Sequence, residues 1–213
     1  MSRVSLATAV AEASSRDPVL AHLAELAGPL TWRPRDPDGH FGALVRAIVF
    51  QQLAGAAANA IHRRVRATVP GELTAEALAA VGDAELRAAG LSANKLASLR
   101  DLSAKVMSGD VVLGASRRTT DDEIISGLTT VRGIGRWTAE MYLMFELRRL
   151  DVWPVDDLGV RQGYGLAWGL EETPKPKALT ALGERFRPYR SVVARYCWEA
   201  VALSRGGTDP SLR

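Results

Sequence analysis

Apolar residues recur along this chain at three- and four-residue intervals and almost nowhere at alternate positions, which predicts helices rather than a sheet. Within residues 1–35, Leu20, Leu23 and Leu26 predict one helix near 18–26. Asp17 suits its N-cap and Pro18 its first helical position. Thr31 to Gly39 reads as a linker, with Trp32 packing one element on another. Residues 41–69 read as two helices: Phe41, Leu44, Val45 and Ile48 make one apolar face, and an Ala-rich stretch through Arg63, Arg64 and Arg66 follows. Short helices follow at 73–81, opened by Thr74, and at 83–89, closed by Gly90. Ser92 caps a longer one through Leu96, Leu99, Leu102 and Val106. Thr120, Asp121 and Asp122 open a helix that reaches Leu128. Others are expected from Arg136 to about Arg149, at 162–170, at 178–186 and from Ser191 to Ser204.

Composition excludes more than it adds. The 213 residues suffice for one large or two modest domains with a real core. No apolar run approaches the roughly 20 residues of a membrane helix, and the first residues lack a signal-peptide core, so residence in the cytoplasm and no membrane partner are expected. Cys197 is the only cysteine, which excludes an intramolecular disulfide, a four-cysteine iron–sulfur cluster and a cysteine zinc site. A net charge of +3 and a pI of 9.3 suit a polyanionic partner without singling one out.

The chemistry concentrates between Leu128 and Arg161. Val131-Arg132-Gly133-Ile134-Gly135-Arg136-Trp137-Thr138-Ala139 is an apolar–x–Gly–apolar–Gly turn running into a helix. The two glycines remove Cβ atoms that would block close approach, and they allow positive φ. A helix start gathers N–H donors and about half a positive charge, which can hold a phosphate. Beyond it, Val152, Trp153, Pro154 and Val155 favour an extended path. That path can return Asp156 and Asp157 to the level of Trp137.

GIGRWTA and PVDDLGVR together resemble the helix-hairpin-helix and catalytic loop of DNA-repair glycosylases, in the alkylpurine branch, the 3-methyladenine DNA glycosylase II (AlkA-like) family. IVFQQLAGAAA, GLSANK, and PYRS followed by Trp198 resemble further segments of that family, so the likeness covers roughly residues 37–204. Arg132 departs from the usual proline, which either loosens the turn or adds a cation near the phosphate. The resemblance implies an all-α, two-domain helical HhH-GPD glycosylase fold with the active site in the interdomain cleft. Residues 37–150 would form one domain, and 1–36 with 151–213 the other.

By the same resemblance, Asp157 is the catalytic carboxylate, and one of Asp156 and Asp157 is expected to cap the following helix while the other catalyses. Trp137, Trp198, Phe41 and Tyr142 would line the base pocket, although Trp198 also fits a core position at helical spacing. Gln51, Gln52 and Leu53 would approach DNA, with Gln52 or Leu53 as the wedge. A plain helix–turn–helix joint is the competing reading of that segment. Gly133, Gly135, Arg136, Thr138 and Ala139 would hold the backbone. Lys95 is expected either near DNA or simply exposed. The backbone carbonyls of Thr129, Val131 and Ile134 match positions that bind a sodium or potassium ion in the family; no cofactor is otherwise implied.

The partner implied is double-stranded DNA with a damaged base, handled by a monomer. Alkylated bases such as 3-methyladenine and 7-methylguanine are the leading substrates. A glycosylase for uracil, hypoxanthine or an oxidised base, and a non-catalytic DNA-gripping module, are the alternatives. Bifunctional relatives carry a lysine where this chain has Trp137; an indole cannot form a Schiff base, so no strand nicking is expected.

Overall fold

Several helices begin where the sequence supplies a side-chain acceptor for their orphan N–H groups. The computed structural model describes residues 4–114 and 119–207. Ser5 caps α1 (Leu6–Ser14), Asp17 caps α2 (Pro18–Ala27), Thr74 caps α5 (Ala75–Ala80) and Ser92 caps α7 (Ala93–Ser108). Thr120 opens α8 (Asp121–Thr129) with a full capping box, its partner being Glu123. The chain also forms α3 (Gly39–Phe50), α4 (Gly55–Ala67), α6 (Asp83–Ala88), α9 (Arg136–Met141), α10 (Leu158–Ala167), α11 (Pro176–Gly183) and α12 (Arg190–Ser204). The fold is all-α, with no strand among the described residues. None of these helices is long and apolar enough to cross a membrane.

The chain divides into two compact units, Arg35–Leu147 and Met1–Pro34 with Arg148–Arg213. In the first, Leu44, Val45 and Ile48 of α3 are fully buried, as their shared face predicts. Val65, Leu78, Leu86, Leu99, Leu102 and Leu143 are fully buried in the same unit. Helix α7 supports this unit, lying against α3, α5 and α6, while α8 and α9 pair as the hairpin.

The helix expected from Arg136 to about Arg149 is shorter. It passes into a π-helical turn, Tyr142–Glu146, where the Leu147 N–H reaches back to the Tyr142 carbonyl at 3.0 Å. Arg148 then takes φ +55°, which ends it.

In the second unit α12 is central, packed against α10, α2 and α1. Helix α1 was not expected; its buried residues are Leu6, Ala9 and Ala13, and the two alanines are too small to give much periodic signal. Trp32 packs beneath the guanidinium groups of Arg148 and Arg195, at 5.5 and 5.3 Å from its ring centre. The PYRS segment fixes the extended stretch ahead of α10. Arg190 makes a bidentate ion pair with Asp151 at 2.8 and 3.0 Å. The Ser191 hydroxyl accepts the Val152 N–H at 2.8 Å and donates to the Arg149 carbonyl at 2.8 Å.

Candidate active site

Asp157 is the N-cap of α10, its Oδ1 accepting the Val160 N–H at 2.8 Å. Of the two aspartates it is thus Asp157 that caps, the same residue to which the resemblance gives the catalytic role. A second donor reaches the same Oδ1: the Trp198 indole N–H, at 2.9 Å. Trp198 is half-buried rather than a core tryptophan, and α12 brings it to the start of α10. Two glycines that the sequence reading passed over make this approach possible. A Cβ at Gly159 would lie 2.8 Å from Trp198 Cδ1, and one at Gly163 would lie 1.8 Å from the Cys197 carbonyl oxygen. Their i, i+4 spacing places both on one face of α10, and that spacing was the only sequence signal available. Burial pushes the Cys197 thiol pKa well up, with the Asp157 charge adding to it.

In the other unit the hairpin turn runs from α8 to α9. Gly133 adopts φ +80°, and a Cβ there would meet the Ser98 hydroxyl at 2.6 Å. Gly135 differs from the expectation of positive φ: its φ is −90°, and a Cβ there would meet nothing within 4 Å. Arg132, in place of proline, supplies a backbone N–H that donates to Asp101 Oδ2 at 2.6 Å. That bond, with Lys105 paired to the same carboxylate at 3.0 Å, holds the Asp101 pKa below the usual range. Lys105 also donates to the Thr130 carbonyl. Arg136 is tied to the buried Glu140 at 2.9 Å. Thr138 and Ala139 are buried, and the Ala139 N–H already donates to the Gly135 carbonyl at 3.1 Å.

The segment after α3 is a tight turn. Gln51 has φ −54° and ψ 130°, Gln52 has φ +57°, and the Leu53 N–H returns to the Phe50 carbonyl at 3.3 Å. Those values are of the type II kind, in which the third residue is usually glycine. Leu53 is exposed at the tip. Gln51 does not point outward; its amide donates to the Gly133 carbonyl at 2.8 Å. Lys95, expected near DNA or simply exposed, turns inward to donate to the Val49 carbonyl, and desolvation lowers its pKa.

Of the other expected rings, Trp137 is 49% exposed, while Phe41 and Tyr142 are buried within their unit. The Tyr142 hydroxyl accepts the Gly114 N–H at 3.4 Å, and its ring meets His40 edge-on. Burial raises the pKa of that hydroxyl to about 12. Met141, four residues after Trp137 and partly exposed, shares the tryptophan's helix face better than Tyr142 does. Of the carbonyls considered for a monovalent ion, that of Val131 already accepts the Ile134 N–H at 3.0 Å. The Lys105 ammonium group also sits on the carbonyl of Thr130, between Thr129 and Val131. An ion there fits poorly beside that charge, and no chemistry is assigned to one.

Comparison with known proteins gives a family match over residues 45–188, to the HhH-GPD superfamily base excision DNA repair protein. A DNA-3-methyladenine glycosylase 1 from Schizosaccharomyces pombe is 37% identical over 164 residues, covering 76% of this chain and 72% of the relative. Among solved structures, a DNA-3-methyladenine glycosidase from Bacillus halodurans superposes with a TM-score of 0.82 at 35% identity, covering 93% of this chain and 92% of the other. The Schizosaccharomyces pombe 3-methyladenine DNA glycosylase in complex with abasic DNA superposes with a TM-score of 0.75 at 34% identity, covering 90% of this chain and 95% of the other.

Proposed function

The chain belongs to the HhH-GPD superfamily of base excision DNA repair proteins, and on that premise we propose that it is a monofunctional DNA glycosylase. It acts on double-stranded DNA, flips out alkylated bases of the 3-methyladenine and 7-methylguanine type, and hydrolyses their N-glycosidic bond. The observation that carries this reading is the Asp157 carboxylate, held at the positive end of α10 and steered by the Trp198 indole. Relatives named for 3-methyladenine support the substrate class.

The chemistry has three requirements. The base must leave the stack, at a cost of a few kcal/mol that is lower for a damaged base. Leu53, apolar and exposed at the tip of its turn, suits the wedge that fills the gap better than Gln52, which carries the turn's positive φ. The flipped base must then be held. An alkylated purine is cationic, and an electron-rich ring such as that of Trp198, beside Asp157, favours it over a neutral base by about 1–3 kcal/mol when well placed. Finally, the sugar must tolerate positive charge. As the C1′–N bond breaks, its electron pair leaves with the base, and the carboxylate of Asp157 stabilises the oxocarbenium ion. A water then bonds to C1′ and gives its proton to that carboxylate or onward to solvent. With Trp137 at the position of the lysine in bifunctional relatives, the product is an intact abasic strand.

The test is a panel of duplexes, each with one 3-methyladenine, 7-methylguanine, uracil, hypoxanthine or 8-oxoguanine, scored for free base and for strand breaks before and after alkali. Release from the alkylated duplexes, with breaks only after alkali, is expected. Release confined to one of the other lesions would move the assignment to that lesion. Binding without any release would leave a DNA-gripping module.

A further inference from the structure

We propose that Gln51 is a positioning residue that latches the wedge turn to the phosphate-binding turn of the hairpin, so that gripping the backbone and opening the base stack become one event. This deepens the glycosylase reading and rests on it.

The two turns are far apart in sequence, yet the Gln51 amide closes on the Gly133 carbonyl at 2.8 Å. Gly133 is the residue whose φ of +80° shapes the hairpin, so the bond is made at the bend itself. A glutamine on a DNA-facing loop would ordinarily offer its amide to a phosphate or a base edge. Here that donor is committed within the protein, and it is the neighbours Gln52 and Leu53 that are exposed.

Both turns also stand on one platform. Lys95, Ser98, Asp101 and Lys105 of α7 recur every three or four residues and so share a face. Lys95 holds the Val49 carbonyl at the end of α3. Ser98 lies under Gly133, Asp101 accepts the Arg132 N–H, and Lys105 holds the Thr130 carbonyl. Gln51 bridges the two turns above that platform.

Backbone strain gives the latch its purpose. Gln52 takes φ +57°, a conformation strained for a non-glycine residue that persists only where its surroundings over-determine it. Without the Gln51 bond the turn can relax, and Leu53 loses its aim.

The test uses Gln51→Met, which keeps the length of the side chain and removes the donor, in the full chain with its melting temperature recorded. Three measurements are compared with wild type: affinity for lesion-free duplex, fluorescence of a 2-aminopurine beside a stable abasic analogue, and single-turnover excision. Excision is measured on a fully paired lesion and on the same lesion in an unpaired bulge. The expected result is affinity within about twofold, most of the 2-aminopurine signal lost, and excision slowed about tenfold on the paired substrate but near normal in the bulge, where unstacking is already largely met. Equal slowing on both substrates would show a merely structural role and overturn the proposal. A large loss of affinity for lesion-free duplex would show a direct DNA contact, with the same consequence, and so would no change in any measurement. Should wild type release no base yet still open the stack, the excision reading fails. Loss of the opening in Gln51→Met would then sustain the latch.

Discussion

Trp198 donates its indole N–H to the Asp157 carboxylate from a position 41 residues further along the chain. The bond fixes the rotamer of a side chain that also caps α10. The hydrogen bond that satisfies the helix start therefore also helps to orient the carboxylate to which we assign catalysis.

Asp157→Asn separates charge from geometry. Asparagine is as good an N-cap as aspartate, so the melting temperature should stay within a few degrees while single-turnover excision falls by a factor on the order of 10² or more. Asp157→Ala should lose the same activity and about 1 kcal/mol of stability as well. Near-normal excision in Asp157→Asn, with loss in Asp156→Asn instead, would transfer the role to Asp156.

The glycines of α10 should differ in kind. At Gly159 a methyl group displaces a side chain, since Trp198 Cδ1 lies 2.8 Å from the new Cβ. Gly159→Ala should fold, and excision should slow about tenfold as the indole leaves Asp157, a loss comparable to about one charge-assisted hydrogen bond. At Gly163 the obstacle is backbone, 1.8 Å away, and Gly163→Ala should destabilise by on the order of 3 kcal/mol or more. Thermal melts and single-turnover rates on both variants check this ordering; a Gly163→Ala protein as stable as wild type would refute it.

The hairpin glycines should also separate. Gly135 has ordinary φ and open space, so Gly135→Asp should fold normally but repel a phosphate. Its affinity for lesion-free duplex should drop about tenfold, with a shallower salt dependence from the lost phosphate contact. Gly133→Ala meets positive φ and the Ser98 hydroxyl together, and its defect should appear first in stability. Unchanged duplex affinity in Gly135→Asp would remove the hairpin as the DNA grip.

Asp101 links hairpin stability to pH. Its folded pKa is depressed, chiefly by the Arg132 N–H. Its stabilisation is therefore present above the unfolded carboxylate value near pH 4 and is lost as pH falls through the lower folded value. Asp101→Asn should be less stable than wild type at pH 7, and the gap should narrow below about pH 4. A gap that stays constant into acid would show that the carboxylate charge is not what holds the turn.

Borohydride should trap no covalent protein–DNA adduct. A Schiff base needs a primary amine at C1′. Trp137 occupies the corresponding position at the hairpin, and its neighbours Arg136 and Thr138 supply no such amine. An efficient adduct would overturn the monofunctional assignment and leave the glycosylase reading in place.

The sequence by itself determined the helices and most of their starts, because apolar period and capping are local properties. Asp17, Thr74, Ser92 and Thr120 cap where they were read. The residues GIGRWTA and PVDDLGVR were also enough to identify the family, since a turn, a helix start and a following carboxylate lie within one short stretch. Local reading failed where small residues carry the packing. Ala9 and Ala13 of α1 give almost no periodic signal, and Gly159 and Gly163 have no side chain to reveal what approaches them. It failed again where a helix changes pitch: the π-turn at Tyr142–Glu146 ends the hairpin's second helix early. Only the tertiary structure decided what polar side chains do. Lys95 and Gln51 could equally have faced solvent or DNA, but each donates to a main-chain carbonyl distant in sequence. Whether a donor is spent inside or offered outside depends on which acceptor folding brings within reach, and that distance is not a property of any single stretch of chain.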